Sequence, residues 1–286
     1  MTQVAPKGTG IDNHHKYNKM NEIDVIKAGV KIATEVAKER TGEIYDDALK
    51  PASQEAGSAL QAIVGLFNNV VLYPIKTANI SFRYKLEMFE RDLAEKLKDT
   101  PPAKLITPKL SIAGPTIEAL KYTFDTKELR EMYLTLLASA MNADKCDGTH
   151  PAFTEVIKAM SPLDSVIFRD AAKFRQIPCA RITIGFETKI FTTAMPQNFI
   201  PDLIQNRDPF AVSRSVENLC RLGLLTHRDN TIIGYNYDAF LNHTYVEERR
   251  SLYAKTRPDV TVTAKVNGEV ILLNDFGFSF KEACVD

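Results

Sequence analysis

The stretch THPAFTEVIKAMSPLD, residues Thr149–Asp164, packs two helix starts in succession. Thr149 is of a type that caps helices, and Pro151 suits a first turn because it lacks a donor that such a turn leaves unpaired. Phe153, Val156, Ile157 and Met160 then recur at helical spacing. Ser161 caps again, with Pro162 at the first helical position and Asp164 completing a capping box. The stretch therefore reads as a junction between two parts of the fold, and His150 as a capping-region residue rather than a catalytic one.

Upstream of the junction the pattern is helical. Asp125, with Glu128 behind it, fits a capping box, and Leu129, Met132, Tyr133, Leu136, Leu137 and Ala140 form a core-facing stripe. In residues 81–100, Leu86, Phe89, Leu93 and Leu97 share one face of an amphipathic helix, which Thr100, Pro101 and Pro102 end. The proline-rich run after it reads as extended until Gly114 and Pro115 open another helix. Asn21–Arg40 predicts a further amphipathic helix, and Pro51 suits the first turn of the next. Residues 1–20 read as a polar arm without the apolar core of a signal peptide, and its His14 and His15 are too isolated to make a metal site.

Ala56–Ile75, AGSALQAIVGLFNNVVLYPI, carries no charged residue across twenty positions, about the length that spans a bilayer. Gln61, Asn68, Asn69 and Pro74 weaken that reading, because amides in hydrocarbon need partners. A buried or partner-facing helix is the expectation.

After Ser161 the texture changes. A helix to about Phe174 is followed by ARITIGFETKIFTTAM, whose β-branched residues and Gly185 predict a strand pair. FAVSRSVENLCRLGLL predicts a helix with Gly223 at its C-cap, and THRDNTIIGYNY short strands about an Asp229-Asn230 turn. VTVTAKVNGEVILLNDFG predicts a hairpin turning at Asn267-Gly268, and FSFKEACVD a short closing helix. The fold class is mainly α: a polar arm (1–20), a helical body (21–160) and a smaller winged-helix-like α+β domain with β-hairpins (161–286).

Lysine plus arginine equals aspartate plus glutamate at 36 each, so no global field draws the chain to nucleic acid or an anionic membrane. Cys146, Cys179, Cys220 and Cys284 form no C-x-x-C pair and read as free thiols in a reducing cytoplasm. No phosphate-cradling glycine loop, zinc-protease helix or nucleophile elbow is present. His150, His227 and His243 read as surface or capping residues rather than metal ligands, and no cofactor is expected. Glu187 and Lys189, with Asp170 upstream, resemble a nuclease metal-and-lysine arrangement, but Asp170 reads as helical and alternating charges on the wet side of a hairpin are the favoured explanation. Arginines cluster late, at Arg207, Arg214, Arg221, Arg228, Arg249, Arg250 and Arg257. Arg214, Arg221 and Arg228 are the candidate nucleic-acid contacts, although Glu217 lies between the first two on the same face.

The segments YDDALKPASQEAGSAL, IAGPTIEALKYT, ELREMYLTLLASAMN and HPAFTEVIKAMSPLD, within Tyr45 to Ile167, resemble the bacterial abortive-infection Abi-alpha family. GEVILLNDFGFSFKEACV resembles that family's ending, where Thr-x-Phe-Gly is common and Asn274 here stands near the threonine position. The resemblance implies a part in bacterial defence, in which an infected cell halts phage multiplication at its own expense, and carries over no enzyme activity or catalytic residue. Two modes of action stay open beside it. One is an interaction protein that binds a protein or phage component, or nucleic acid through its C-terminal domain as a winged-helix regulator would. The other is an effector whose segment 56–75 contacts membrane on activation.

Overall fold

The computed structural model describes residues 50–72, 79–186, 195–256 and 258–286. The polar arm and the helix expected over Asn21–Arg40 lie outside the described residues. Helix α1 (Lys50–Phe67) passes into a π-helical turn at Asn68–Leu72, and α2 (Asn79–Leu97) follows. Ala59, Ile63 and Phe67, at four-residue spacing on α1, are buried, and the Phe67 ring stacks on Phe89 of α2 at 4.0 Å. The described part of the uncharged segment thus turns one face to the protein core, and no helix among the described residues is long and apolar enough to cross a membrane.

Helices α3 (Leu110–Thr123) and α4 (Lys127–Ala140) complete the first layer. Helix α3 begins five residues earlier than Pro115 suggests, leaving that proline inside it. Burial of Ile112 and Ala113 offsets the hydrogen bond that Pro115 cannot donate. The expected capping box of α4 does not form: Thr126 occupies the N-cap, and Asp125 instead pairs with Lys85 at 2.7 Å. Helix α4 is buried beyond its predicted stripe, at Leu134, Thr135, Ala138 and Ser139 as well, because other helices surround it.

At the junction, α6 (Pro162–Ala171) starts with Pro162 in its first turn as predicted, while α5 (Ala152–Lys158) starts one residue after Pro151, which takes the N-cap. The Ser161–Asp164 capping box is complete. The first cap differs from expectation: the Thr149 hydroxyl donates to the Cys146 carbonyl, and His150 Nδ1 accepts the Ala152 N–H at 3.1 Å.

Strand β1 (Gln176–Phe186), short helix α7 (Pro201–Ile204), helix α8 (Pro209–Arg221) and strand β2 (Leu225–Arg228) follow. A 3-10 turn at Tyr237–Asn242 and helix α9 (Thr244–Thr256) lead to β3 (Val262–Leu273) and closing helix α10 (Asp275–Cys284). Helix α8 ends in a Schellman motif: Leu224 N–H donates to Leu219 O, Gly223 N–H to Cys220 O, and Gly223 has φ +76°. Asn274 caps α10 by accepting the Gly277 N–H at 2.8 Å, so it serves the cap role that a threonine there also could.

The three strands form an antiparallel sheet of order β1-β3-β2. This corrects two expectations and leaves part of a third outside the described residues. No hairpin forms at Asn267-Gly268, because β3 runs straight through it, pairing Arg181 with Asn267 and Ala180 with Gly268. No strand pair forms about Asp229-Asn230, because β2 pairs with the distant β3. Of the strand pair expected over Ala180–Met195, the first arm is β1, which likewise pairs with β3, and residues 187–194 lie outside the described residues. The chain is mainly α with this small β part, and nearly all the buried apolar side chains of the described residues form one continuous cluster.

Candidate functional site

The junction is tied to α8 through a chain of polar contacts. Asp164, 5% exposed, accepts from Ser161 N–H at 2.7 Å and from Asn218 Nδ2 at 2.9 Å. Asn218 Nδ2 also reaches the Ala159 carbonyl at 3.2 Å, and Asn218 Oδ1 accepts from Arg221 Nε at 3.0 Å and Nη2 at 2.7 Å. Arg221 is therefore already engaged by its own helix.

Helix α8 buries Val212, Ser213, Val216 and Leu219 and turns other residues outward. The Arg214 side chain is 69% exposed, with its guanidinium 4.0 Å from the Asp208 carboxylate. Glu217 accepts from Ser213 Oγ at 3.4 Å, and Arg228 lies exposed at the end of β2. The predicted arginine surface is thus interleaved with Asp208 and Glu217. The other late arginines divide: Arg207 donates to Asp170 at 2.8 Å and to the Leu203 carbonyl, Arg250 pairs with Glu247, and Arg249 lies over the Tyr245 ring. Arg257 lies outside the described residues.

Of the nuclease-like trio only Asp170 lies among the described residues. Asp170 sits on α6 between Lys173 at 2.7 Å and Arg207 at 2.8 Å, while Glu187 and Lys189 lie outside the described residues. Burial opposes ionisation of Asp170, but hydrogen bonds from Lys173 and Arg207 outweigh it and hold its carboxyl below the usual range.

The three histidines take separate surroundings. His150 packs against Phe153 and Phe276, and His243 stands edge-on to Phe199 while accepting from the Tyr245 N–H. His227, on β2, joins a cluster on the sheet that the residue pattern did not reveal. Its Nε2 lies 2.8 Å from Glu269 Oε2, and Glu269 is 1% exposed on β3 directly opposite Cys179 of β1. The Glu269 Oε1 faces Arg181 at 3.2 Å and Asn267 at 3.4 Å. Cys179 donates its thiol to Asn198 Oδ1 at 3.8 Å, and burial, reinforced by the Glu269 charge, pushes that thiol well up. Burial also pushes the Cys220 thiol up to about 11. The ligating atoms of Cys179, His227 and Glu269 lie within 4.8 Å of one another. One signal was present in the chain: an acid inside the apolar run VNGEVILL must either face water or find a partner.

The family model for Abortive infection alpha matches residues 81–284. No curated protein and no solved structure matches the chain. The match runs from the first turn of α2 to the end of α10, leaving α1 outside it, and covers well over half of the chain, so the chain belongs to the Abortive infection alpha family.

Proposed function

We propose that the protein acts in the cytoplasm in abortive infection, restricting phage multiplication as a non-catalytic binding protein, and that its contact surface is the outer face of α8 with the end of β2. The observation that carries this reading is the mixed charge of that face: Arg214 beside Asp208, with Glu217 near and Arg228 beyond. Alternating signs suit a protein or phage component of complementary charge, whereas Asp208 and Glu217 would be repelled by a phosphate backbone.

The order α6-β1-α7-α8-β2-β3, with β3 between β1 and β2, supports a winged-helix-like second half beginning near Ser161, in which residues 229–261 replace the wing. That order gives a second reading, nucleic-acid binding through Arg214, Arg221 and Arg228. The Arg214→Glu, Arg228→Glu double variant tests both, since neither residue belongs to the network that anchors α8. The expected result is loss of phage protection at unchanged protein level, with no retention of wild-type protein on DNA or RNA at low salt. Salt-sensitive retention that the double variant loses would make nucleic acid the partner. Full protection by the double variant would remove this surface from the function.

A further inference from the structure

The sheet holds three different metal-ligating side chains on three neighbouring strands. Cys179 of β1 stands opposite Glu269 of β3, and His227 of β2 is paired with Ile271, two residues along β3 and on the same side of the sheet as Glu269. Cys179 and Glu269 are buried, while the His227 side chain is a quarter exposed (25%) and leaves a path from solvent. We propose that Cys179 Sγ, His227 Nε2 and Glu269 Oε2 are protein ligands of one divalent transition-metal ion of the zinc class.

Sulfur, imidazole nitrogen and carboxylate oxygen are the donors that zinc takes, and three protein ligands with an open fourth position is a recurrent arrangement. Donors held about 2.0–2.3 Å from a tetrahedral zinc stand roughly 3.3–3.8 Å apart. The present spread, within 4.8 Å, asks for a contraction at the thiol of at most about 1.5 Å. The 2.8 Å contact between His227 and Glu269 must open slightly to admit the ion. Asn198, 4% exposed and already 3.8 Å from Cys179 Sγ through its Oδ1, stands ready as a weak fourth donor or as the anchor of a bound water.

Charge supports the assignment. A dication with one thiolate and one carboxylate is neutral, as a buried site requires, and the thiol proton leaves to solvent when the metal–sulfur bond forms. Arg181 and Asn267 contact the other carboxylate oxygen, Oε1, and so orient Glu269 without occupying the oxygen that would bind metal. A bound ion would fasten β2 to β1 across β3, and with it the start of the segment that carries Arg228.

The test uses the purified full chain stripped of metal and titrated with cobalt(II), then zinc. Cobalt bound through Cys179 gives a thiolate-to-metal charge-transfer band that saturates at one equivalent and is displaced by zinc. A band from imidazoles alone would not appear, so His14 and His15 cannot mimic it. The band should persist in Cys146→Ser and Cys220→Ser and vanish in Cys179→Ser. His227→Asn, at a partly exposed position, should weaken zinc binding at least tenfold while keeping the native circular dichroism, and it decides the matter if Cys179→Ser fails to fold. No charge-transfer band in the wild type, a band unchanged in Cys179→Ser, or zinc held equally well by His227→Asn would overturn the site.

Discussion

The ring of Tyr237 lies against the bare backbone of Gly268, so close that a Cβ at Gly268 would stand 2.7 Å from the ring's Cγ. The same tyrosine donates its hydroxyl to the Glu269 carbonyl at 2.9 Å and accepts the Ile232 N–H at 3.1 Å. Glycine is here for close approach across a strand rather than for a turn. Gly277 is used in the same way: a side chain there would overlap the Leu224 carbonyl, which lets α10 sit on the end of α8.

Gly268→Ala should therefore destabilise the protein by about 1–3 kcal/mol, the usual effect of forcing a methyl group into a packed site. Thermal unfolding measures it. The double variant with Tyr237→Ala should show coupling, since removing the ring makes room for the added methyl. A neutral or stabilising Gly268→Ala would return Asn267-Gly268 to the role of an exposed turn.

Asp164 serves two partners at once, the Ser161 N–H of its own cap and the Asn218 amide of α8. Loss of the carboxylate leaves the Ser161 N–H and part of the Asn218 hydrogen bonding without their acceptor. Asp164→Ala should cost about 2–3 kcal/mol, and Ser161→Ala only about 1 kcal/mol because Asn218 keeps its acceptor. Equal losses for the two variants in chemical denaturation would show that the link to α8 contributes nothing.

Asp170 carries a pH dependence whose sign follows from its surroundings. Burial opposes its ionisation, but Lys173 and Arg207 outweigh that and hold its folded-state carboxyl below the ordinary aspartate range. The unfolded state therefore takes up the proton first as pH falls. The stabilisation is fully present above the unfolded value and is lost as pH drops through the lower folded one. Stability curves of wild type and Asp170→Asn should differ near neutral pH and converge in acid. Parallel curves down to pH ~2, well below the ordinary aspartate range, would refute the assignment.

Much of the helical architecture was legible because a helix satisfies its hydrogen bonds within a few residues. The box at Ser161 and Asp164, the Gly223 C-cap and the stripe of α4 are local signals, and each was read from the chain. Asp125 carries a misleading cap signal because its carboxylate pairs with Lys85, forty residues upstream, instead of its own helix. Pro115 was misread because burial of Ile112 and Ala113 extended α3 past a proline that by itself argues for a start.

The sequence by itself determined where most of the helices lie, which faces are apolar, that a small β part follows the junction, and the family resemblance through segments on both sides of it. Tertiary structure alone decided how the strands pair, because a strand's hydrogen bonds go to a partner at any distance along the chain. Asn267-Gly268 carries a strong local hairpin signal, yet β3 draws its partners from β1 and β2 and its Gly268 makes room for Tyr237. That pairing also brings Cys179, His227 and Glu269 together, a site that no spacing along the chain encodes.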